Sequence, residues 1–353
     1  MLAYLLALGN VFSGDVSKAY AAHATQLHAV LFGESSNYDK TIPPSSSRDN
    51  PFFKAGTDVT VQIRFFKVNE VSAADGRMAL KVWLRNTWND DRLSWEPSAH
   101  GNITMIPALA SSISTPEDSE IWLPDLKVYN SRESIMSTLD PAIANVYSTG
   151  SIFWSRPGNL EVLCKFSGLV AFPFDDLRCA FEIGGWGLSG RYQGIQLKNA
   201  SQPSKREGLG WQFSNDEDTT GSTYQEYQIK HVTAKVKNLV YYEAGGPDAW
   251  PLATYTITLN RSAYFYYNAI IFPGFVFSLL SFAAFFMAHN VGERLGYCIT
   301  LILAIEVSKV VIAEMIPVCG ELLWVELFGA VNFVFATLSL LLSVVSLWLG
   351  TRD

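Results

Sequence analysis

The chain has 353 residues, a net charge of −7, 49% hydrophobic residues and 17% charged ones, against about 25% charged in ordinary soluble domains. The deficit sits at one end: residues 262–353 hold three of the 26 Lys and Arg and six of the 33 Asp and Glu. A polar domain followed by a membrane-resident one fits this split, whereas a cytosolic enzyme, a disordered chain or a nucleic-acid-binding protein does not.

The chain opens with Met1-Leu-Ala-Tyr-Leu-Leu-Ala-Leu, an apolar run without the basic start of a signal segment. A helix reaching about Phe32 is expected there, with a lead-in to residue 56. Residues 57–261 read as all-β. Val59–Phe65 and Ala79–Arg85 are β-rich runs with partial alternation, separated by the turn signal Ala74-Asp-Gly76. Further runs cover Asn159–Phe166, Ala180–Ile183, Tyr227–Tyr242 and Pro251–Asn260. Many strands with turns between them predict an immunoglobulin-like sandwich. The polar stretch 215–223 reads as an insertion.

Of the four cysteines, Cys298 and Cys319 fall in or beside the membrane half. Cys164 and Cys179 flank Lys-Phe-Ser-Gly-Leu-Val-Ala-Phe-Pro-Phe-Asp-Asp-Leu-Arg. In a β domain outside a membrane, such a pair is expected to form a disulfide. The sequence Phe172-Pro173-Phe174 inside that loop reads as a rigid apolar wedge.

Three apolar stretches follow at about 263–288, 295–317 and 322–350, each long enough for the roughly 20 helical residues that cross a hydrocarbon core. Short links at His289–Arg294 and Val318–Glu321 make them antiparallel neighbours. Pro273 lies inside the first, as a bundle permits. The second carries a stripe at helical spacing: Gly296, Thr300, Leu303, Val307, Val310, Glu314. If several copies surround an axis, that stripe lines a pore, Glu293 and Glu314 form carboxylate rings at its mouths, and the aliphatic middle gates by dewetting. An ordinary buried bundle helix would carry the same end charges. Glu306 and Lys309, three residues apart and off the stripe, read either as a self-neutralising pair at a helix interface or as a polar switch.

These residues resemble a known family. Cys164 to Cys179 with Phe172-Pro173-Phe174-Asp175, Trp88-x-Asp90, Trp122-x-Pro124-Asp125 and Gly292-Glu-Arg-Leu-Gly-Tyr-Cys-Ile-Thr-Leu-Ile-Leu leading to Ile312-Ala-Glu-Met-Ile-Pro317 are similar, in order, to the Cys-loop receptors, the pentameric ligand-gated ion channels. Glu293 and Glu314 match the cation-selective, nicotinic-like branch. Three features depart from the pattern. The loop between the cysteines holds 14 residues where the family usually has 13. Ala244-Gly245-Gly246 stands where acetylcholine-binding subunits carry adjacent cysteines. The family also has a fourth span after a cytoplasmic segment, and residues 262–353 contain three.

The resemblance implies a small-molecule agonist held between two subunits by Tyr129, Trp186, Tyr242 and Trp250 of one and Trp83 of the next. Arg85 shares a strand face with Trp83; a cation there disfavours a cationic ligand and leaves an anionic or amphiphilic one open. It implies coupling through the turn at Ser72–Arg77, the wedge Phe172, Pro173, Phe174 and Asp175, Arg261 entering the first span, and Pro317. Arg261 is expected to pair with Asp175 or Glu70. It also implies a homopentamer, permeant cations, contact with membrane lipid, and a plasma-membrane location with the sandwich outside the cell. Asn102-Ile-Thr and Asn199-Ala-Ser are glycosylation triplets on expected loops, and Asn260-Arg-Ser lies too near the membrane.

The competing class is a membrane-anchored sandwich that binds or adheres without conducting; the pore stripe separates the two. A tethered hydrolase finds no support, because the sequence has neither His-Glu-x-x-His nor Gly-x-Ser-x-Gly. No motif asks for a metal or another cofactor.

Overall fold

The computed structural model describes residues 18–47, 55–110, 118–201, 206–214, 223–224, 226–243, 246–287, 291–315 and 320–350. The start of the chain, most of the 215–223 insertion, Pro317 and Cys319 lie outside the described residues. Residues 18–32 form a helix, α1.

Two sheets follow. Among the described residues the first has nine strands. Seven run in the order β10 (Glu207–Gly208), β11 (Trp211–Phe213), β2 (Ala55–Ser72), β3 (Arg77–Ser94), β7 (Thr149–Leu163), β6 (Ala144–Tyr147), β4 (Met105–Ala108). The other two, β1 (Ser46–Ser47) and β9 (Gln193–Leu197), also pair with β2. The second has five, in the order β12 (Thr223–Tyr224), β13 (Tyr227–Glu243), β14 (Gly246–Arg261), β8 (Asp176–Gly184), β5 (Lys127–Val128).

The long strands form because their apolar residues keep a period of two. On β3, Met78, Leu80, Val82, Leu84 and Trp88 all point inward and are buried. They meet Phe181, Tyr255 and Ile257 of the other sheet in one core, where each buried large side chain contributes about 1.5–3 kcal/mol. The hydroxyl of the fully buried Tyr255 donates to Gly210 O at 3.0 Å, so its polar end is satisfied.

The expected strand at Asn159–Phe166 is part of a longer one, Thr149–Leu163. Pro157 hid its first half, since proline lacks a ladder donor. Here the carbonyl of Pro157 accepts from Asp140 N on the side away from β3, and its nitrogen faces that same side. No bond to β3 is lost.

Three long helices follow: α2 (Tyr264–Phe286), α3 (Val291–Met315) and α4 (Trp324–Gly350). Tyr264–Phe286 and Trp324–Leu349 are long and apolar enough to cross a membrane. Within α2, Tyr267–Ile271 winds as a π-turn just before Pro273. Proline lacks an N–H and crowds the carbonyl four residues back, and the wider turn relieves that contact. α2 and α4 approach closely at Gly274, where a Cβ would lie 2.7 Å from the Phe328 ring. Polar groups join them as well: Ser278 Oγ and Asn332 Oδ1 are 2.6 Å apart, and Ser339 Oγ donates to Ser281 O at 2.6 Å.

Candidate functional site

One group of rings forms where β5 meets the loop after β8. Asp125, from Trp122-x-Pro124-Asp125, accepts three backbone N–H bonds on Oδ2, from Trp186 at 2.8 Å, Gly187 at 2.6 Å and Leu188 at 3.1 Å. Gln193 holds Asp125 in turn, accepting from its N–H at 2.9 Å and donating to its carbonyl at 2.7 Å. The loop this creates is tight. A Cβ at Gly184 would lie 2.1 Å from Leu252 Cδ2, and one at Gly185 would lie 2.5 Å from Leu188 O. These glycines let the backbone turn under Trp186, a residue that is 64% exposed.

Tyr129 meets Trp186 edge to face, ring centroids 5.9 Å apart, and donates its hydroxyl to Gly185 O at 2.5 Å. Burial raises the Tyr129 phenol above its usual pKa, with Tyr241, Asp125 and Glu182 adding to the shift. Lys127, two residues before Tyr129 on β5, places its Nζ 5.0 Å from the Trp186 centroid. A cation on an exposed ring contributes about 0.5–1 kcal/mol.

Strand alternation sorts the remaining rings. Trp250 pairs with Leu239 across β13 and β14, and Tyr241 pairs with Asp248, so both share a face. Tyr242, expected in the cluster, alternates to the opposite face and is 85% exposed. Tyr241 is the tyrosine close enough to act on Tyr129. Trp83 and Arg85 lie in the other sheet, on β3. The Trp83 ring packs 4.4 Å from Phe66, centroid to centroid, and two guanidiniums lie near it, Arg64 at 5.4 Å and Arg85 at 5.3 Å.

A second constellation lies at the base of the sandwich. Arg261, the last residue of β14, is 5% exposed. Its Nε donates to Asp175 Oδ1 at 2.8 Å and its Nη1 to Glu226 Oε1 at 2.5 Å. Phe172 and Tyr227 each hold a ring 4.7 Å from the guanidinium carbon, and Tyr266, already on α2, accepts from Nη1 at 3.3 Å. Burial opposes the Arg261 charge, yet Tyr227, Asp175 and Glu226 outweigh it and hold the pKa above the usual arginine value. Of the two expected partners, Asp175 is present and Glu70 is not. Glu70 instead pairs with Arg77 at 2.8 Å across the turn that joins β2 to β3.

The wedge reaches the membrane helices. Phe172 is fully buried against Tyr266, centroids 4.8 Å apart, and the Phe172–Pro173 peptide is cis. Phe174 projects outward to the Trp324 ring at 5.5 Å, and Trp324 stacks on Phe328 at 5.6 Å. The disulfide Cys164–Cys179 closes the loop that carries both phenylalanines.

On α3 the residues of the stripe, Gly296, Thr300, Leu303, Val307, Val310 and Glu314, are exposed together, and so is Glu293. Arg294, Cys298, Leu301 and Ile305, on the other side, are buried against the bundle. Lys309 lies off the stripe. Its Nζ is 2.7 Å from Glu306 and 4.2 Å from the Phe333 centroid on α4. That geometry is a self-neutralised pair at a helix interface. Asn102 and Asn199 are exposed, whereas Asn260 donates to Asp176 Oδ1 at 2.9 Å.

Sequence reasoning missed Lys127, Arg64, Tyr241, Glu226, Tyr266 and Trp324. The signal for Glu226 is its place just before the strand whose Tyr227 lies opposite Arg261, and using it requires the β13–β14 register. Lys127 carried no signal, because its relation to Trp186 depends on β5 pairing with β8.

The model of the neurotransmitter-gated ion-channel ligand-binding domain matches residues 24–263. Relatives that match most of this chain agree. An acetylcholine receptor subunit, alpha-type, of Caenorhabditis elegans is 26% identical over 325 residues, covering 90% of this chain and 61% of the relative. An acetylcholine receptor subunit, alpha-like, of Drosophila melanogaster is 29% identical over 294 residues, 80% of this chain and 46% of the relative. The human neuronal acetylcholine receptor subunit alpha-2 is 27% identical over 278 residues, 78% of this chain and 47% of the relative. The chain thus spans about half to three-fifths of the length of these relatives. The family is one of ligand-gated channels and not of enzymes, and with its matched sandwich, its disulfide loop and its membrane helices the chain belongs to the neurotransmitter-gated ion-channel family, the Cys-loop receptors.

Proposed function

We infer that this chain is a subunit of a pentameric, ligand-gated cation channel of the plasma membrane, crossing it several times with its sandwich outside the cell. A small-molecule agonist binds between copies, at Tyr129, Trp186, Tyr241 and Trp250 of one and Trp83 of the next. The pore is lined by α3, which acts as a third span. Five copies of this chain suffice, bathed in membrane lipid. The turn at Ser72–Arg77, Phe172 to Asp175, Arg261 and the Pro317 link carry the ligand's effect to α3. Opening follows from tighter agonist binding to the open arrangement than to the closed one.

One observation carries the reading. The six residues of the stripe and Glu293 lie on the side of α3 that its own bundle leaves uncovered. At 25 residues α3 is about 37 Å long, enough to line a whole membrane. An uncovered stripe with carboxylates at both ends and Leu303, Val307 and Val310 between them suits a cation path with an apolar gate.

Current recording from cells expressing the chain alone tests this. Cation-selective current is expected, with selectivity weakened by Glu293→Gln and reversed or abolished by Glu293→Lys. Leu303→Ser, at a side chain 62% exposed, leaves the fold intact and raises resting leak or shifts opening. Unchanged behaviour in all three variants would remove α3 from the pore.

A further inference from the structure

The candidate agonist site is lined by the chain's own cations. On one face, the Lys127 ammonium sits on the exposed ring of Trp186, the position that an organic ammonium would seek. Among the described residues Lys127 has no carboxylate partner: Asp125 Oδ2 is taken by three amides, and Glu182 is paired with Lys237. On the face expected from the next copy, Arg64 and Arg85 converge on the single ring of Trp83. Each has a buried Nε with no acceptor. Two guanidiniums on one indole repel each other, and burial together with Arg64 lowers the pKa of Arg85. A structural ion pair would have supplied a counter-charge. Among the described residues, both faces leave it to be brought in.

We propose that the site selects an organic anion, a carboxylate on a compact or aromatic body, with Lys127 of one copy and Arg85 and Arg64 of the next as its counter-charges. The proposal rests on the reading of these rings as the ligand site. The body of such a ligand packs on Trp186 and Tyr129, as an amine would. The carboxylate takes the ammonium of Lys127 and the two-pronged donor set that only a guanidinium offers. A quaternary ammonium entering the same space displaces Lys127 from Trp186 and meets three like charges. Asp248 Oδ1, buried without a partner two residues before Trp250, is a feature that favours a cation, so an ammonium probe belongs in the test.

The experiment is binding of benzoate and of tetramethylammonium to the purified full chain in lipid nanodiscs at fixed ionic strength. Wild type is compared with Lys127→Gln, Arg85→Gln and Trp186→Ala. Lys127 and Trp186 are exposed, so their variants fold, and a thermal melt confirms it for each protein. Benzoate is expected to bind wild type, and tenfold or more weakly after either charge is removed. Tetramethylammonium is expected to gain at least tenfold in Lys127→Gln. Tetramethylammonium preferred over benzoate by wild type, no benzoate binding, or benzoate binding indifferent to both charge substitutions overturns the proposal. Benzoate binding that survives Trp186→Ala removes the site itself. Anion binding that follows the pattern above in a protein that passes no current supports the proposal and removes only the channel.

Discussion

Arg261 and Asp175 form a two-pronged pair at the base of the sandwich, Nε to Oδ1 at 2.8 Å and Nη2 to Oδ2 at 3.4 Å, with both side chains essentially out of water. A buried pair contributes little net stability against a well-packed apolar replacement, but removing one partner leaves the other charge stranded. Arg261→Gln is therefore expected to destabilise the chain by about 3–5 kcal/mol. Adding Asp175→Asn recovers part of that loss. Thermal unfolding of the single and double variants measures it, and a double variant no better than Arg261→Gln alone would show that Glu226 and the rings dominate.

Asp125 holds the Trp186 loop through three charge-assisted bonds to one oxygen. Asp125→Asn keeps the shape but turns one oxygen into a donor facing other donors. A loss of about 1.5–3 kcal/mol in local stability is expected. Hydrogen exchange at residues 186–188 should accelerate while β3 keeps its protection. Unchanged exchange there would mean that the glycines alone shape the loop.

Phe174 and Trp324 touch ring to ring across the boundary between the sandwich and the membrane helices. Aromatic pairs of this kind couple by about 0.5–1.5 kcal/mol beyond their buried area. Phe174→Ala, Trp324→Ala and the double variant, compared by the opening equilibrium in current recordings, should deviate from additivity by that amount. Additive effects would make the two rings neighbours without a shared role in opening.

Alkaline stability reports two buried phenols. Burial raises both Tyr227 and Tyr255 above the usual tyrosine pKa near 10. The folded chain keeps these protons after the unfolded chain has lost them. Their contribution is complete below about pH 10 and falls as the pH rises above it. Arg156 acts in the opposite sense, since burial pushes its guanidinium down to about 10. Comparing Tyr255→Phe with wild type isolates one phenol: the denaturant midpoint should fall less steeply above about pH 10 in the variant. Equal slopes would count against a raised Tyr255.

Much of this protein was legible in one dimension because the signals are local. The charge deficit after Ser262 marks the membrane half, since an ionisable group costs several kcal/mol in hydrocarbon whatever its neighbours. The stripe from Gly296 to Glu314 is a consequence of 3.6 residues per turn, and those residues share one exposed side of α3. The cysteine pair was legible from its setting in a β domain outside the membrane, and Trp122-x-Pro124-Asp125 from its resemblance to the Cys-loop receptors.

What tertiary structure decided are the pairings that depend on register and on which elements meet. Glu70 was as good a partner for Arg261 as Asp175 by charge; the β2–β3 hairpin instead gives it to Arg77. Tyr241 and Tyr242 are the same residue type side by side, and the register of β13 against β14 sends one to each face. Lys127 came to lie on Trp186 because β5 pairs with β8 at Gly184. Side-chain type and spacing set what a segment can form, but electrostatic and ring contacts act over a few ångströms, and only the assembled sheets bring residues from distant parts of the chain that close.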